Sequence, residues 1–479
     1  MRKIVVVGGG FTGAATAIHL ARQAEEPLHI SVVEPKPDIG RGIAYATDDP
    51  DHRLNAPAAI HTLIPDDLMA FETWLQKTGR IEVDQEMVAD DGSLFPRRSA
   101  FGAFVREQFA AYASKNASGS ILDHVPARAA RLERTAKGLG VHIDGGRCLT
   151  ADMVVMSTGI ERPAIPGGVA REVAAHDGFI ADPWKIEKIN KLKSDARVLI
   201  LGAGLTTADV ATTLLRDKPQ AIITAISRSG LRPTSRPEEP LPPTQPLWDR
   251  LRTSPSLFEQ RHGSFKTVRE IFSALRRAIR EDAAAGLPWQ LAFDELRDSA
   301  REIWVALPER EKLRFQRHLR RRYDSCRFRY PPQTLAMIEA AEADGRLAFI
   351  TASLERAILV DDGIKVRWAT ALGGGDVTAT FDNVINCTGP SDIADQRECS
   401  FLKTAIKDRH ARISTLGIGI DVNEKCQVIA ADGRPQNDLY AFGALTFAKF
   451  GSPLGAPFIV DQIESVVPEM LAEHSRSKP

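Results

Sequence analysis

Two glycine-rich turns, each between an apolar strand-like run and a helix-like run, constrain the fold of this chain more than any other feature. The first spans residues 8–13 and the second spans residues 202–207. In such a turn one glycine permits a tight bend, a second lets a diphosphate approach the backbone, and a third lets the helix pack close to its strand. N–H groups at the helix N-terminus then favour the anion. Two α/β units that each bind a dinucleotide are predicted, with a ligand-free strand–turn–helix as the alternative for each.

The residues that follow the second strand of each unit distinguish the two dinucleotides. Glu34 follows in the first unit, and its carboxylate can accept both ribose hydroxyls while repelling a 2′-phosphate by up to about 4 kcal/mol at an effective dielectric near 20. Ser227 and Arg228 follow in the second unit, and a guanidinium can pair with phosphate oxygens. The pattern predicts FAD at the first turn and NADP(H) at the second. An ordinary exposed loop arginine is the alternative for Arg228.

The second turn departs from the glycine pattern because Thr207 stands where the third glycine is expected. We therefore expect the second helix to stand slightly further from its sheet than the first.

Other candidate cofactor contacts follow strands or lie in glycine-containing loops. Arg41, Tyr45 and Asn55 lie in the loop after Glu34, where a plain surface loop is the alternative. Two similar strands end in small residues that let the backbone pass close to a flat group, and the final helix could direct its N-terminal dipole at a flavin. The predicted cofactor-binding residues are Gly8, Gly10, Phe11, Thr12, Gly13, Glu34, Arg41, Tyr45, Asn55, Arg97, Thr158, Gly159, Gly202, Gly204, Leu205, Thr206, Thr207, Ser227, Arg228, Thr388, Gly389, Gly443 and Gly455.

Composition and charge narrow the class of protein. Hydrophobic residues make up 43% of the 479 residues and charged residues 26%, which is typical of a globular chain. The formal net charge is zero and no apolar run approaches the ~20 residues that span a bilayer, so we expect no nucleic-acid or membrane partner. The five cysteines are scattered without a CxxC pair or metal-site spacing. We expect no metal, no redox-active disulfide and a cytoplasmic location.

The middle of the chain combines a proline-rich stretch with helical periodicity. Six prolines in residues 233–246 predict a rigid linker, and apolar residues at helical spacing predict a mostly helical insert. Residues 310–329 carry many arginines and few acids. A solvated helix face is one interpretation, and a site for the NADP phosphate or a substrate carboxylate is the other.

With these motifs laid out, the chain resembles the two-dinucleotide FAD/NAD(P)-binding flavoproteins related to flavin-dependent N-hydroxylating and other class B monooxygenases. The resemblance covers nearly the whole chain. Its carriers are residues 8–13, 202–209 and 227–233, Gly42-Ile43-Ala44-Tyr45, Leu54-Asn55-Ala56-Pro57-Ala58, Pro96-Arg97 with Phe101-Gly102, Asp182-Pro183-Trp184, and Asn386-Cys387-Thr388-Gly389-Pro390.

The resemblance implies two Rossmann-like domains, with the NADP domain inserted in a discontinuous FAD domain. The corresponding boundaries are 1–190 and 385–479 for the FAD domain and 191–384 for the NAD(P) domain, including a helical insert at about 247–345. It also implies that NADPH reduces FAD and that O₂ adds at flavin C4a, while bound NADP shields the hydroperoxide. No side-chain nucleophile is expected, and no catalytic residue is predicted.

Departures from the family patterns refine the expected reaction. The FxGxxxHxxxW pattern of Baeyer–Villiger enzymes is missing its Phe and Gly ahead of His176 and Trp184, which favours oxygenation of nitrogen over carbon. Ala444 follows Gly443 where flavoproteins usually have an acidic residue, so contacts there must be made by the backbone. We expect an NADPH-dependent FAD monooxygenase acting with O₂ on a small polar amine or amino acid. An NAD(P)H:acceptor reductase and a flavin-binding partner subunit are the alternatives.

Overall fold

The computed structural model describes residues 1–136, 138–159, 163–238, 245–371, 375–389, 401–451 and 455–476. Its strands are β1 (Arg2–Val7), β2 (Leu28–Val33), β3 (Ile121–Val125), β4 (Ala129–Thr135), β5 (Gly138–Ile143), β6 (Cys148–Ala151), β7 (Met153–Met156), β8 (Phe179–Ile180), β9 (Arg197–Leu201), β10 (Ile222–Ser227), β11 (Leu347–Val360), β12 (Gly363–Thr370), β13 (Asp376–Phe381), β14 (Asn383–Asn386), β15 (Gln427–Ile429) and β16 (Pro435–Ala441).

The α-helices among these residues are α1 (Phe11–Gln23), α2 (Ala70–Lys77), α3 (Arg80–Val83), α4 (Arg98–Ser114), α5 (Arg171–Ala175), α6 (Ile186–Ile189), α7 (Leu205–Asp217), α8 (Leu247–Arg252), α9 (Leu257–His262), α10 (Val268–Ala284), α11 (Gln290–Ala306), α12 (Glu309–His318), α13 (Arg320–Arg327), α14 (Pro332–Ala343), α15 (Phe401–Lys407), α16 (Phe447–Phe450) and α17 (Ala456–Arg476). Not one of them is both long and apolar enough to cross a membrane.

The first sheet has six strands in the order β15-β16-β7-β1-β2-β3. All neighbours from β16 to β3 are parallel, and β15 pairs antiparallel with β16 at the edge. The last four residues of β1 are buried and apolar. Such a continuous apolar run is typical of a parallel strand that is covered on both faces of the sheet. The alanine-rich helix α1 packs against α17 on this sheet, so the C-terminal helix closes the core of the first unit. The predicted α/β fold class is confirmed.

The second sheet has seven strands in the order β13-β12-β11-β10-β9-β14-β8. The strands from β11 to β8 are parallel, whereas β11, β12 and β13 form an antiparallel meander. A third sheet, β4-β5-β6, is a separate antiparallel meander beside the first unit. Two Rossmann-like units are therefore present, with β9 occupying in the second sheet the place that β1 occupies in the first.

The sheet pairing differs from the boundaries expected from the sequence. Strands β8 and β14 both belong to the second sheet, although residues 1–190 and 385–479 were expected in the first unit. The physical reason is packing at the second glycine turn. This turn needs the end of a neighbouring strand against it, and β14 is that strand. The first sheet takes its last two strands only from residues 427–441.

The predicted helical insert is present and forms its own core. Helix α10 begins with a capping box in which Thr267 accepts from the Glu270 N–H and the Glu270 side chain accepts from the Thr267 N–H. The insert docks on the C-terminal segment, because Trp304 donates to the Ala448 carbonyl and Gln316 donates to the Leu416 carbonyl. Helix α14 packs on α7 instead, so it covers the second sheet.

Candidate functional site

Close contacts at the first glycine turn leave no room for side chains on the diphosphate-facing backbone. A Cβ on Gly8, whose φ is +101°, would lie 2.7 Å from the Ser157 carbonyl oxygen at the end of β7. A Cβ on Gly13 would lie 1.8 Å from the Gly8 carbonyl oxygen, and one on Gly10 would lie 3.3 Å from the Gly42 Cα. Strand ends, loop and helix therefore converge at the N-terminus of α1, where backbone N–H groups are free to bind an anion.

Glu34 lies at the end of β2 with its carboxylate held in place by the backbone. The Gly9 N–H donates to its Oε2 at 2.9 Å, and the Lys36 N–H donates to its Oε1 at 3.1 Å. A carboxylate has about four acceptor positions, so both oxygens retain capacity for ribose hydroxyls. The structure thus places Glu34 directly beside the first turn.

The strand end after β7 and the C-terminal segment complete the first site. The Thr158 Oγ1 and the Ser157 Oγ are buried without a hydrogen-bond partner among the described residues, which suits a site whose partner is a bound group. A Cβ on Gly443 would lie 2.8 Å from the Thr12 Oγ1, so this glycine touches the first turn. Gly443 donates its N–H to the Gln462 Oε1 at 2.9 Å. Phe11, Thr12, Gly159 and Gly443 therefore belong to one neighbourhood.

Gly455 directly precedes α17, where its carbonyl accepts from the Ile459 N–H. A Cβ on Gly455 would lie 3.0 Å from the Phe458 ring, so a larger residue would be crowded at this helix N-terminus.

The predicted polar contacts from the loop after Glu34 have other partners. Arg41 donates to Asp38 and Asp48 and to two carbonyl oxygens of its own loop, so its guanidinium holds the loop in shape. Tyr45 packs against Phe11 and Phe101 with ring centroids 6.2 Å and 4.9 Å apart. These geometries favour structural roles for both residues.

The partners of Asn55 and Arg97 belong to other segments than the first glycine turn. The Asn55 carbonyl accepts from Arg236 at 2.7 Å. Arg97 lies just before α4 and forms an ion pair with Asp84 at 3.3 Å, with its side chain 41% exposed.

The second glycine turn repeats the geometry of the first. Gly202 has a φ of +131°, and a Cβ there would lie 2.3 Å from the Cys387 carbonyl oxygen. Gly204 caps α7 with φ and ψ of −88° and −168°, close to the −69° and −168° of Gly10 at α1. The segment Cys387–Gly389 therefore lies beside Gly202 in the same way that Ser157–Gly159 lies beside Gly8.

Thr207 is accommodated at the third position by a less crowded turn. Its side chain is fully buried, and its Oγ1 would lie 3.3 Å from a Cβ on Gly202. Gly13 is the equivalent residue of the first turn, and the backbone there leaves no room for a side chain. Leu205 and Thr206, the first two residues of α7, directly precede Thr207 at the same helix N-terminus.

The candidate ribose end of the second turn comprises Ser227, Arg228 and Arg321, which belongs to the arginine-rich segment 310–329. The Ser227 Oγ accepts from the Gly230 N–H at 3.1 Å, which shapes the bend after β10. Arg228 is exposed and has no ion-pair partner within the described residues. Partial burial and the nearby charge of Arg228 lower the pKa of Arg321. Two guanidinium groups near each other favour an anion between them.

Thr388 and Gly389 follow β14 beside this second turn. The Asn386 Oδ1 accepts from both the N–H and the hydroxyl of Thr388, and Gly389 has a φ of +87°.

A cavity of about 570 Å³ lies between the helical insert and the C-terminal segment. This volume suits a small organic molecule. Gln462 lines the cavity and also binds Gly443, which places the cavity one hydrogen bond away from the first site. Its aromatic lining consists of Phe272, Trp304, Phe315, Tyr323, Phe447, Phe450 and Phe458.

Two residues of the site were not singled out from the sequence. Gln462 is a buried amide within the final helix, a pattern that marks a side chain with a specific partner. Arg321 belongs to the arginine-rich segment 310–329, but only folding shows which of those arginines lies near Arg228.

Comparisons with known proteins agree with this fold. Residues 5–161 match the family model described as FAD-NAD(P)-binding. Among solved structures, the reduced ornithine hydroxylase of Pseudomonas aeruginosa has 16% identity and a TM-score of 0.64, covering 99% of this chain and 100% of that chain. A search of curated proteins found no match.

Two further solved structures are similar over the whole length. The ornithine N-hydroxylase of Kutzneria sp. 744, solved with reduced FAD, NADP⁺ and L-ornithine, has 15% identity and a TM-score of 0.64, and the match covers 100% of both chains. The L-lysine 6-monooxygenase of Pseudomonas syringae has 13% identity and a TM-score of 0.59, also covering 100% of both chains. At these identities the likeness establishes a shared fold.

Proposed function

We propose that this chain is an NADPH-dependent FAD monooxygenase that hydroxylates a nitrogen atom of a small amine or amino acid. The observation that carries the proposal is the pair of glycine turns with oppositely charged ribose ends. Glu34 lies at one end and Arg228 at the other. Solved N-hydroxylating enzymes acting on ornithine and lysine share the fold, which supports this reaction type.

The first site has the features that FAD requires. The cradle formed by Gly8, Gly10 and Gly13 excludes side chains where a diphosphate would lie, and Glu34 can accept ribose hydroxyls. The partnerless Thr158 hydroxyl provides a further polar group. In this proposal the chemistry that FAD supplies when bound is acceptance of electrons from NADPH and activation of O₂.

The second site has the features that NADPH requires. Gly202 and Gly204 keep the N-terminus of α7 open, and Arg228 with Arg321 supplies positive charge at the ribose end. NADH lacks the 2′-phosphate, so these arginines would discriminate between the coenzymes.

The cavity beside the first site is the proposed substrate site. With substrate and cofactors bound, its aromatic side chains would displace water from the reacting atoms, which would protect a reactive oxygen species from unproductive breakdown. The free cysteines Cys148, Cys326, Cys387 and Cys426 support a reducing, cytoplasmic setting for the enzyme. Cys399 lies outside the described residues.

Supplying the FAD-loaded protein with NADPH, O₂ and L-ornithine, L-lysine, putrescine or cadaverine tests the reaction. We expect at least one of these amines to give a hydroxylamine in proportion to the NADPH oxidised. Formation of hydrogen peroxide alone with every amine would refute nitrogen hydroxylation. In that event, fast anaerobic turnover with a quinone would identify an NAD(P)H:acceptor reductase.

A further inference from the structure

Six polar residues join the two units along one face of α7. We call them the interunit cluster, and they are Asp49, His52 and Arg98 of the first unit and Asp209, Thr213 and Arg216 of α7. The three on α7 follow one another at intervals of four and three residues, so one stripe of that helix faces the first unit. Four members are buried, and Arg216 lies at the solvent edge of the cluster.

Thr213 is the centre of the interunit cluster. Its hydroxyl donates to the Asp49 Oδ2 at 2.7 Å, and the same hydroxyl oxygen lies 3.1 Å from the His52 Nε2. This Nε2 also lies 3.1 Å from the Asp209 carbonyl oxygen, which can only accept, so the Nε2 carries a hydrogen. The His52 Nδ1 contacts the Thr47 hydroxyl at 2.9 Å. A buried histidine of the first unit therefore bonds both to its own loop and to the second unit.

Two charge pairs flank this centre. The Arg98 Nη2 donates to the Asp209 Oδ1 at 3.0 Å, and its Nη1 lies 2.8 Å from the Oδ2. Arg216 donates to the two oxygens of Asp49 at 2.7 Å and 2.9 Å. Burial alone would raise the pKa of Asp49, but the bonds from Arg216 outweigh burial and lower this pKa to about 2. Asp49 is therefore charged within the interface at neutral pH and needs its partner from the second unit.

Helix α7 begins at the second glycine turn, so its position determines where the proposed NADP(H) site lies. Asp209 and Arg216 are five and twelve residues after Gly204, which is about 7.5 Å and about 18 Å along the helix axis. Two attachment points on one rigid helix fix both its position and its direction relative to the first unit. Hydrogen bonds and paired charges have preferred directions, so they restrict this orientation more strictly than apolar contacts do.

We infer that the interunit cluster positions the N-terminus of α7 at the distance and angle from the first unit at which NADPH transfers hydride to FAD. The inference rests on the two cofactors of the proposed function and not on its amine. In this step two electrons and one proton move together from NADPH to FAD, which gives NADP⁺ and the anionic reduced flavin. The six members act through geometry alone, and a displacement of about 1 Å can slow such a reaction about a hundredfold.

Anaerobic stopped-flow mixing of the FAD-loaded protein with NADPH measures hydride transfer without any amine or O₂. Thr213→Val keeps the shape of the side chain and removes the hydroxyl that joins His52 to Asp49. Asp209→Asn removes the charge that pairs with Arg98. We expect each variant to slow flavin reduction at saturating NADPH by at least about tenfold. The dissociation constant of NADP⁺ should stay close to that of the wild type, because the glycine turn is intact.

Hydrogen–deuterium exchange of the FAD-loaded proteins gives a readout that does not depend on turnover. Each cluster variant should exchange faster in residues 47–53, which lose their bonds to α7. Asp282→Asn is the matched control, because Asp282 is also a buried carboxylate and pairs with Arg261 at 2.9 Å within the insert. It should keep the wild-type rate of flavin reduction and the wild-type exchange in residues 47–53.

The melting temperature of each variant identifies any that fail to fold. Arg216→Gln, at the exposed edge of the interunit cluster, keeps the test decisive if both buried variants do so. Wild-type reduction rates in the folded cluster variants would overturn the inference and leave the proposed function intact. Weaker NADP⁺ binding with an unchanged rate at saturation, or equal slowing in Asp282→Asn, would also overturn it.

The same measurements separate the inference from nitrogen hydroxylation. Slow flavin reduction in the cluster variants, together with hydrogen peroxide alone from every amine, would support the inference and refute nitrogen hydroxylation. Failure of NADPH to reduce the flavin of the wild type would refute both.

Discussion

Glu34 and Arg228 follow equivalent strands but have opposite charges and different degrees of constraint. Two backbone N–H groups hold the Glu34 carboxylate, so it is oriented before any ligand binds. Arg228 is exposed, and another arginine lies close to it. The sequence predicted both residues and their charges. It indicated the arginine-rich segment 310–329 but could not single out Arg321, because α13 lies near the end of β10 only in the folded chain.

Replacing Arg228 with Ala should weaken NADPH binding by about 1–3 kcal/mol, as for a lost charge-assisted contact. NADH binding should be spared because NADH has no 2′-phosphate. Titration of both coenzymes measures the difference. Arg310, which is also exposed, provides an Ala control that should change neither affinity. An equal loss for both coenzymes would contradict a phosphate role for Arg228.

Arg321 and Arg228 should act together if one phosphate lies between them. A double-mutant cycle with Arg228→Ala and Arg321→Ala should give a coupling energy of about 0.5–3 kcal/mol for NADPH and close to zero for NADH. Dissociation constants of the four proteins measure it. Strictly additive losses for NADPH would mean that the two arginines contact separate groups.

The two strand–turn–helix elements share a backbone shape but differ at the third position of the turn. The helix caps Gly10 and Gly204 have nearly the same ψ, and Gly8 and Gly202 both have positive φ. At the third position Gly13 has no space for a methyl group, whereas the Thr207 side chain is buried in the fold. The expectation that the second helix stands further from its sheet came from this one substitution and stays a prediction.

Gly13→Ala and Gly204→Ala should have different effects. An Ala at residue 13 would put a methyl group 1.8 Å from the Gly8 oxygen, so we expect a loss of at least about 2 kcal/mol of stability. No atom lies within 4 Å of a Cβ on Gly204, so that variant should fold normally and lose NADP⁺ affinity only. Thermal unfolding and NADP⁺ titration measure both. Wild-type stability of Gly13→Ala would disprove the packing argument.

At the scale of the whole molecule, ion pairs and buried polar groups join the two units. Arg98 pairs with Asp209 of α7 at 2.8 Å, and Asp49 accepts from Arg216 at 2.7 Å. The strands β8 and β14 complete the second sheet, although the expected boundaries placed β8 and the last two residues of β14 in the first unit. The sequence of a short apolar strand does not indicate which sheet the strand joins, because parallel pairing is decided by long-range contacts.

Buried histidines in the first unit should make the stability of the protein depend on pH. Burial lowers the pKa of His19 to about 4 from 6.5. The unfolded chain therefore binds more protons between these values, so stability is full above pH 6.5 and falls as the pH decreases. From pH 7.5 to 5.5 this one residue should cost about 1.3 kcal/mol.

His19→Gln should remove that contribution, because Gln does not titrate and can still donate to the Leu63 carbonyl, which the His19 ring contacts at 2.9 Å. Denaturant unfolding at the two pH values measures the change. His318→Gln, at an exposed position, is the control and should keep the wild-type pH dependence. An unchanged pH dependence in His19→Gln would contradict a neutral buried ring.

The sequence by itself determined the two nucleotide-binding turns, the opposite charges at their ribose ends and the helical insert, because each depends on residues close together in the chain. Only the tertiary structure decided that Cys387–Gly389 lies beside the second turn, that Arg41 supports its own loop, and that β8 joins the second sheet. These features depend on which distant segments meet. Local periodicity and motif spacing do not indicate which distant segments contact each other, whereas burial and charge in the folded chain do.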